Sequence, residues 1–372
     1  MVVGQARGRV AGLGPRPRGA RAARAHRRHR ERRVTERRVL LVSPAFHGYH
    51  GAIAASLEAR GHTVVRHVYD QHLGMARRVG HQIRHELPQK VGVGSGRRLG
   101  REQTAAAIEA VRDTRPDAVV VVKGDALEPS FWEHLSTAGL PRVTWLYDEV
   151  RRTRYTPELL SEIGPLATYS ILDDEAFNEL GWDTRYLPLA FDHRLTIGPA
   201  RPRTKHVTFV GARYPSRQFA LESLAAAGVP VRAYGRDWSS HPVDRLRTWS
   251  VRRPDVTGLR DVDRATAYRV MASSTATLNL HGDQDGFTMR TFEAAGVGAL
   301  QIVDRTDTAG LYRDGVELVA FTSLEELVDL CHRAASDAEW AESIRAAARE
   351  RTLAEHTFDH RVAELEAAWD TV

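Results

Sequence analysis

The chain has 372 residues, 42% of them apolar and 27% charged, a globular composition long enough for two domains of ordinary size. No run approaches the roughly 18 apolar residues of a membrane helix, and the single cysteine excludes an intramolecular disulfide and suits a reducing, cytoplasmic setting. The net charge of +6 misleads: residues 1–38 hold thirteen arginines against Glu31 and Glu36, so the remainder carries 40 basic against 45 acidic side chains, and such a body offers no electrostatic case for nucleic acid.

Residues 1–37 show no apolar periodicity and are expected to be a disordered, Arg-rich tail. They lack the apolar core of a secretory signal, and they contain no serine, unlike a transit peptide. Val34 is followed by TERRVLLVSP, an ordinary opening for a Rossmann-type protein, so translation is expected to begin there from a GTG codon. A nucleic-acid-binding arm is the competing reading of the tail.

From residue 38, strands and helices alternate. RVLLVSP (38–44) is an unbroken apolar run, the pattern of a strand covered on both faces in a parallel sheet. Gly48 and Gly51 follow, then an amphipathic helix to about Arg60 and a strand, GHTVVRHV (61–68). Residues 69–100 are polar and Gly-rich, read as a long loop with one helix. A helix near 101–114 leads into DAVVVVKGD (117–125), and RVTWLYD (142–148), PLATYSI (165–171) and TRYLPLA (184–190) are further strands. The Pro- and Arg-rich stretch 191–204 interrupts the alternation as a linker. Alternation resumes with HVTFVGA (206–212), VPVRAYG (229–235), DVTGL (255–259), a helix at 263–273 and TATLNLH (275–281). VELVAF (316–321) then precedes helices near 323–335, 337–351 and 357–370, the first of which carries Cys331 among apolar residues as a packing group. The pattern predicts an α/β chain with two Rossmann-like doubly wound domains, 38–190 and 205–352, facing a cleft. A C-terminal helix within 353–372 is expected to pack back toward the first domain, and ligands to sit at the carboxyl ends of the strands.

The most informative segment is DGFTMRTFEAAGVGALQIV (285–303). Asp285 lies in a Gly-containing loop, Glu293 follows eight positions later in a helix, and Gly296 and Gly298 precede an apolar strand. A loop feeding a helix N-terminus supplies free N–H groups and a positive dipole end, which suits a phosphate. Acids beside such a site disfavour the phosphate itself but suit sugar hydroxyls, so the pattern points to a nucleotide sugar.

In series, VTFVGARYPSRQFALESL, VPVRAYG, DVTGL and this segment resemble the donor-binding domain of GT-B glycosyltransferases over about residues 205–352. DGFTMRTFE is similar to the E-x7-E signature of retaining families, with Asp285 in place of the first Glu. The spelling NLHGDQDGFTMRTFEAAGVGA looks most like the CgeB-like, spore-maturation branch, a bacterial group. The first half is similar more loosely to the acceptor domain.

The resemblance implies that Glu293 accepts hydrogen bonds from the ribose hydroxyls. It implies that Asp285 contacts the transferred sugar, with the backbone of Gly286, Phe287 and Thr288 against sugar or diphosphate. Gly211 falls in the segment matched to the phosphate loop, and Arg213 or Arg217 would meet the diphosphate, joined by Arg290. Guanidinium groups and a helix dipole stabilise a departing nucleoside diphosphate without a metal, so no metal or other cofactor is expected. The partners implied are a nucleotide-sugar donor and an acceptor of unstated identity. In the first domain, Gly48 and Gly51 allow close backbone approach. Asp148 is the candidate base of an inverting enzyme, with His47 and His50 behind it, or the residue that orients a sugar hydroxyl in a retaining one. His47 and His50 are spaced H-x-x-H but have no third ligand nearby for a metal.

The function expected is therefore a hexosyltransferase-type enzyme. A nucleotide-sugar epimerase or hydrolase of the same fold, or a non-catalytic binding module, are the alternatives. On the start site, the native protein should give an intact mass beginning at position 34, and a species beginning at Met1 would overturn that expectation.

Overall fold

The computed structural model describes residues 35–70, 96–199, 201–248 and 253–369. The tail up to Val34, with its expected disorder and start site, and most of the 69–100 stretch lie outside these residues.

Among the described residues there are two six-stranded sheets. β1 (Arg38–Ser43), β2 (Thr63–Val68), β3 (Ala118–Val122), β4 (Arg142–Leu146), β5 (Leu166–Thr168) and β6 (Thr184–Tyr186) pair in the order β2-β1-β3-β4-β5-β6. β7 (Val207–Val210), β8 (Val231–Tyr234), β9 (Thr257–Leu259), β10 (Ala276–Asn279), β11 (Gln301–Val303) and β12 (Val319–Ala320) pair as β12-β11-β10-β7-β8-β9. Every pairing is parallel. The register sets Val39 opposite Ala118 and Val42 opposite Val121 in the first sheet. β1, β3 and β4 are buried almost throughout, because helices cover both faces of a parallel sheet and leave no polar side.

The helices between these strands are α1 (Tyr49–Ala59), α2 (Gly96–Thr114), α3 (Pro129–Thr137), α4 (Pro157–Glu162), α5 (Ile171–Glu179), α6 (Pro215–Ala226), α7 (Pro242–Thr248), α8 (Arg264–Ala272) and α9 (Met289–Gly296). After the last strand come α10 (Leu324–Ser336), α11 (Ala338–Glu355) and α12 (Phe358–Trp369).

Several strands stop short of the apolar runs that announce them. PLATYSI contributes only Leu166–Thr168, since Ser170 leaves the sheet to cap α5 by accepting from the Asp173 N–H at 3.1 Å. TRYLPLA contributes only Thr184–Tyr186, and its continuation is buried as a crossing segment, with Leu187, Leu189 and Ala190 all in the core. Burial made these residues apolar; pairing did not. The expected linker is likewise pinned where it begins. Phe191 donates its N–H to His356 O at 2.8 Å and accepts from the Phe358 N–H at 3.2 Å, and its ring stacks on Tyr268 with centroids 5.4 Å apart. A Cβ on Gly296 would lie 2.4 Å from that ring, which explains the first of the two glycines after Glu293.

The C-terminal helix packs back on the first sheet, as the pattern predicts. Phe358, Val362, Leu365, Ala368 and Trp369 recur at helical spacing and are all buried, each large side chain contributing about 1.5–3 kcal/mol on removal from water. Phe358 lies against Trp145 of β4 and Tyr49 of α1, and Trp369 meets His62 edge-on. Arg361, 4% exposed, donates to Pro188 O (2.7 Å), Glu355 O (3.1 Å) and His356 Nδ1 (2.9 Å), so one guanidinium closes three otherwise open acceptors at this crossing.

Arg361→Ala should therefore lower unfolding stability by about 3 kcal/mol, since buried carbonyls lose their donors, read as a fall in urea midpoint. His356 adds a pH dependence. Burial, then the Arg361 charge, push its imidazole down to about 3, against about 6.5 when solvated. Its neutral form thus contributes stability that is complete above about pH 6.5 and is lost as pH falls toward 3. The acid-side decline in melting temperature should be shallower in His356→Gln than in the parent protein.

Candidate functional site

The second sheet reverses its winding between β7 and β10, and in doubly wound sheets the crevice outside such a reversal is where ligands bind. A cavity of about 160 Å³ opens beside it. It is lined from the first half by residues that follow strands: Phe46, His47 and Tyr49 after β1, Tyr147 and Asp148 after β4, Tyr169 after β5, and Leu189. From the second half, Gln284 follows β10 and Thr288, Met289 and Arg290 open α9. The carboxyl ends of both sheets therefore meet at one place.

α9 is built to begin there. Some helices close their first turn with a side chain, as Asp263 does for Thr266 N and Ser323 for Glu326 N, while α1, α3 and α6 have no side-chain cap. Thr288 precedes α9 and caps nothing; its hydroxyl lies 3.4 Å from Asn279 Oδ1. The amide end of the helix thus stays open toward the cavity. The turn ahead of it is braced by a buried network that sequence reasoning missed. His281 Nδ1 pairs with Asp304 Oδ1 at 2.9 Å and its Nε2 lies 3.2 Å from Thr291 Oγ1, while Asp304 also accepts the N–H groups of His281 and Gly282. The signal was a His closing β10 and an Asp closing β11.

Glu293 is fully buried in α9. Its Oε1 accepts from the Tyr49 hydroxyl at 2.6 Å, and its Oε2 is paired with Arg290. Burial, then the Glu293 charge, push the Tyr49 phenol well above its ordinary range, so it remains a donor. Burial opposes the charge on Arg290, yet Glu293 and then Tyr49 raise its pKa above the usual arginine value. Tyr49 belongs to the first half, so this acid joins the two halves. Arg264 stacks 4.9 Å over the Tyr49 ring and pairs with Asp192 at 2.8 Å, supporting the same junction.

On the first-half wall, Asp148 is paired with Lys123, a residue held at a φ of 63°. That ammonium competes for the lone pairs a general base needs. His47 also has a positive φ, 45°, next to Gly48 at 73°; a non-glycine residue there is uncommon and tends to cluster at working sites. Loss of hydration at the cavity wall, then the Arg290 charge, lower the His47 pKa. Gly48 owes its identity to its backbone conformation, since a Cβ there would meet nothing within 4 Å. The Tyr147 hydroxyl is buried at this wall with no hydrogen-bond partner among the described residues.

The remaining expected residues sort by position. Of Gly286, Phe287 and Thr288, only Thr288 lines the cavity. A Cβ on Gly286 would lie 2.3 Å from Tyr169 O, so its close approach is to the first half of the chain. Phe287 is buried between His281 and Arg305. Asp285 is outside the lining and engages Arg151 at 2.9 Å and Ser170 at 3.3 Å. Gly211 accepts from Trp238 Nε1 at 2.9 Å. Arg217 donates to Leu280 O and Ala212 O and stacks 4.7 Å over Tyr214, tying the ends of β7 and β10 together. Arg213 is half-buried and near Arg253, and neither Arg213 nor Arg217 lines the cavity. His50 stays outside it as well.

Residues 213–367 match the family model described as glycosyl transferase-like. A search of curated proteins finds no match. Among solved structures, the chain is similar to sucrose-phosphate synthase from Thermosynechococcus elongatus, with 13% identity and a TM-score of 0.61 over 89% of this chain and 98% of that one. It is similar to Anabaena HepE in complex with UDP and glucose, with 14% identity and a TM-score of 0.61 over 91% and 100% of the two chains. A UDP-N-acetylglucosamine 2-epimerase shares 11% identity and a TM-score of 0.52 over 84% and 91%. At such identities the likeness carries the fold alone. The two parallel sheets with flanking helices form the GT-B type of two-domain Rossmann-like fold.

Proposed function

We propose that the protein is a glycosyltransferase of hexosyl type that moves a sugar from a nucleoside-diphosphate-sugar donor to an acceptor hydroxyl. It works without a metal and retains the anomeric configuration. The observation that carries this is the cavity between the carboxyl ends of the two sheets, where α9 starts without a side-chain cap and Arg290 supplies a guanidinium. Breaking the bond between the sugar and the diphosphate builds negative charge on the departing oxygen, and fixed amides and a guanidinium stabilise that charge best where water is limited. Arg290 takes this role ahead of Arg217 and Arg213 because it alone of the three lines the cavity. Asp148, with Lys123 beside it, orients a sugar hydroxyl. The acceptor proton then leaves with the diphosphate oxygen, so no separate base is needed. The spelling around Asp285 favours the CgeB-like branch and, with it, a bacterial, cytoplasmic enzyme.

Glu293 is the ribose-binding acid in this proposal. Tyr49 already donates to its Oε1, so a ribose hydroxyl has to replace the phenol there. The protein crystallised with UDP and glucose, HepE, makes UDP-glucose the first donor to try. A second reading, a nucleotide-sugar epimerase or hydrolase, draws on the fold shared with a UDP-N-acetylglucosamine 2-epimerase; consumption of UDP-sugar without any acceptor would favour it.

In a thermal-shift panel of UDP-, GDP- and dTDP-sugars, a donor at 100 times its Kd should stabilise the protein by about 2.7 kcal/mol. No shift from any of them would overturn the proposal. Glu293→Ala should abolish the shift. Tyr49→Phe removes the competing donor and should tighten nucleotide binding several-fold by calorimetry; weaker binding would instead place Tyr49 among the donor's own contacts.

A further inference from the structure

The loop before α9 is gripped by a short segment of the first half, Glu149–Arg152 (EVRR), which follows β4. Glu149 is fully buried, and its Oε1 accepts the Asp285 N–H at 2.8 Å. Arg151 donates to Asp285 Oδ1 at 2.9 Å and to the Asp283 carbonyl, and Arg151 and Arg152 each lie 3.5 Å from the Asp283 carboxylate. Ser170 Oγ is 3.3 Å from Asp285 Oδ2. Tyr169 completes the contact: Gly286 packs on its carbonyl, and its phenol lies between Glu149 and Gln284.

These contacts differ in weight. Arg151 and Asp283 are about half and three-quarters exposed, and exposed ion pairs contribute little. Glu149 has no water to fall back on, so its bond to a main-chain N–H is the expensive one to lose. Asp283–Gly286 runs directly into Thr288, Met289 and Arg290, so whatever holds this loop also sets the open end of α9. With Asp283 and Asp285 both turned to the clasp, Gln284 is the loop side chain that lines the cavity.

We propose that Glu149 is a positioning residue that holds the two halves closed over the cavity, that Asp285 serves this clasp rather than the transferred sugar, and that Gln284 takes the sugar contact. The effect on turnover rests on the glycosyltransferase proposal; the clasp itself does not.

The test uses the full chain with two readouts. Small-angle scattering of the ligand-free protein should show a larger radius of gyration for Glu149→Ala than for the parent, with Glu149→Gln, which keeps an acceptor, near the parent value. Arg151→Glu, an exchange at a half-exposed side chain that leaves the core intact, should expand the protein too and keeps the test open if Glu149→Ala fails to fold. With UDP-glucose as probe, Glu149→Ala should lower kcat about tenfold with UDP affinity nearly unchanged. Arg151→Ala and Asp285→Asn should each cost about threefold, and the double variant no more than either, since coupled groups are non-additive. Gln284→Ala should raise KM for the donor. Unchanged scattering in Glu149→Ala and Arg151→Glu would overturn the clasp. A large kcat loss in Asp285→Asn alone, additive with Arg151→Ala, would return Asp285 to the sugar. If the parent protein binds no nucleotide sugar, the functional proposal fails while the scattering result still decides the clasp.

Discussion

A carboxylate with no exposed surface has to be neutralised where it sits, and Glu293 is such a group. One partner, Arg290, comes from its own helix; the other, Tyr49, comes from the far side of the cleft. Glu293 Oε1 keeps this donor only while the two halves are together, so separating α9 from α1 would leave the acid with Arg290 alone. The rest of the junction follows this constraint. Arg264 covers Tyr49 and pairs with Asp192, the ring of Phe191 fills the space beside Gly296, and α12 lies across α1 and β4.

Charge around the cavity is divided in a way that suits an anionic, hydroxyl-bearing ligand. The positive end of α9 stands at the wall, with Arg290 beside it in an ion pair with Glu293, and the other nearby acids are also paired: Asp148 with Lys123, Asp285 with Arg151. What remains toward the cavity is a set of polar side chains without formal negative charge, Gln284, Thr288 and the Tyr147 phenol, among aromatic rings. A site of mostly apolar lining with a few placed polar groups is what a small ligand needs for both affinity and orientation.

The fold was legible from the chain because parallel strands buried on both faces leave continuous apolar runs, and because Gly and Pro punctuate them. The errors were of extent. Leu187–Ala190 and Tyr169 are apolar for the sake of the junction, and no periodicity separates that burial from a longer strand. The segment from Asp285 to Val303 also announced itself, since a Gly-containing loop, a short helix and a buried strand have a recognisable rhythm. Glu149, Lys123 and Arg151 gave no such sign. They lie in EVRR and VKG, strings that any loop could contain; Lys123 meets Asp148 from 25 positions away, and Glu149 and Arg151 meet Asp285 from more than a hundred.

The sequence by itself thus determined the layers, the two sheets and the position of a phosphate-friendly helix start, because those rest on local periodicity and on backbone groups that every helix end exposes. Tertiary structure alone decided what the acids do. Asp285 and Glu293 look alike in the chain, eight residues apart, yet Asp285 meets Arg151 and Ser170 while Glu293 meets Tyr49 and Arg290. A carboxylate's role is set by the donors within about 3 Å of it, and in this fold those donors come largely from the opposite half of the molecule.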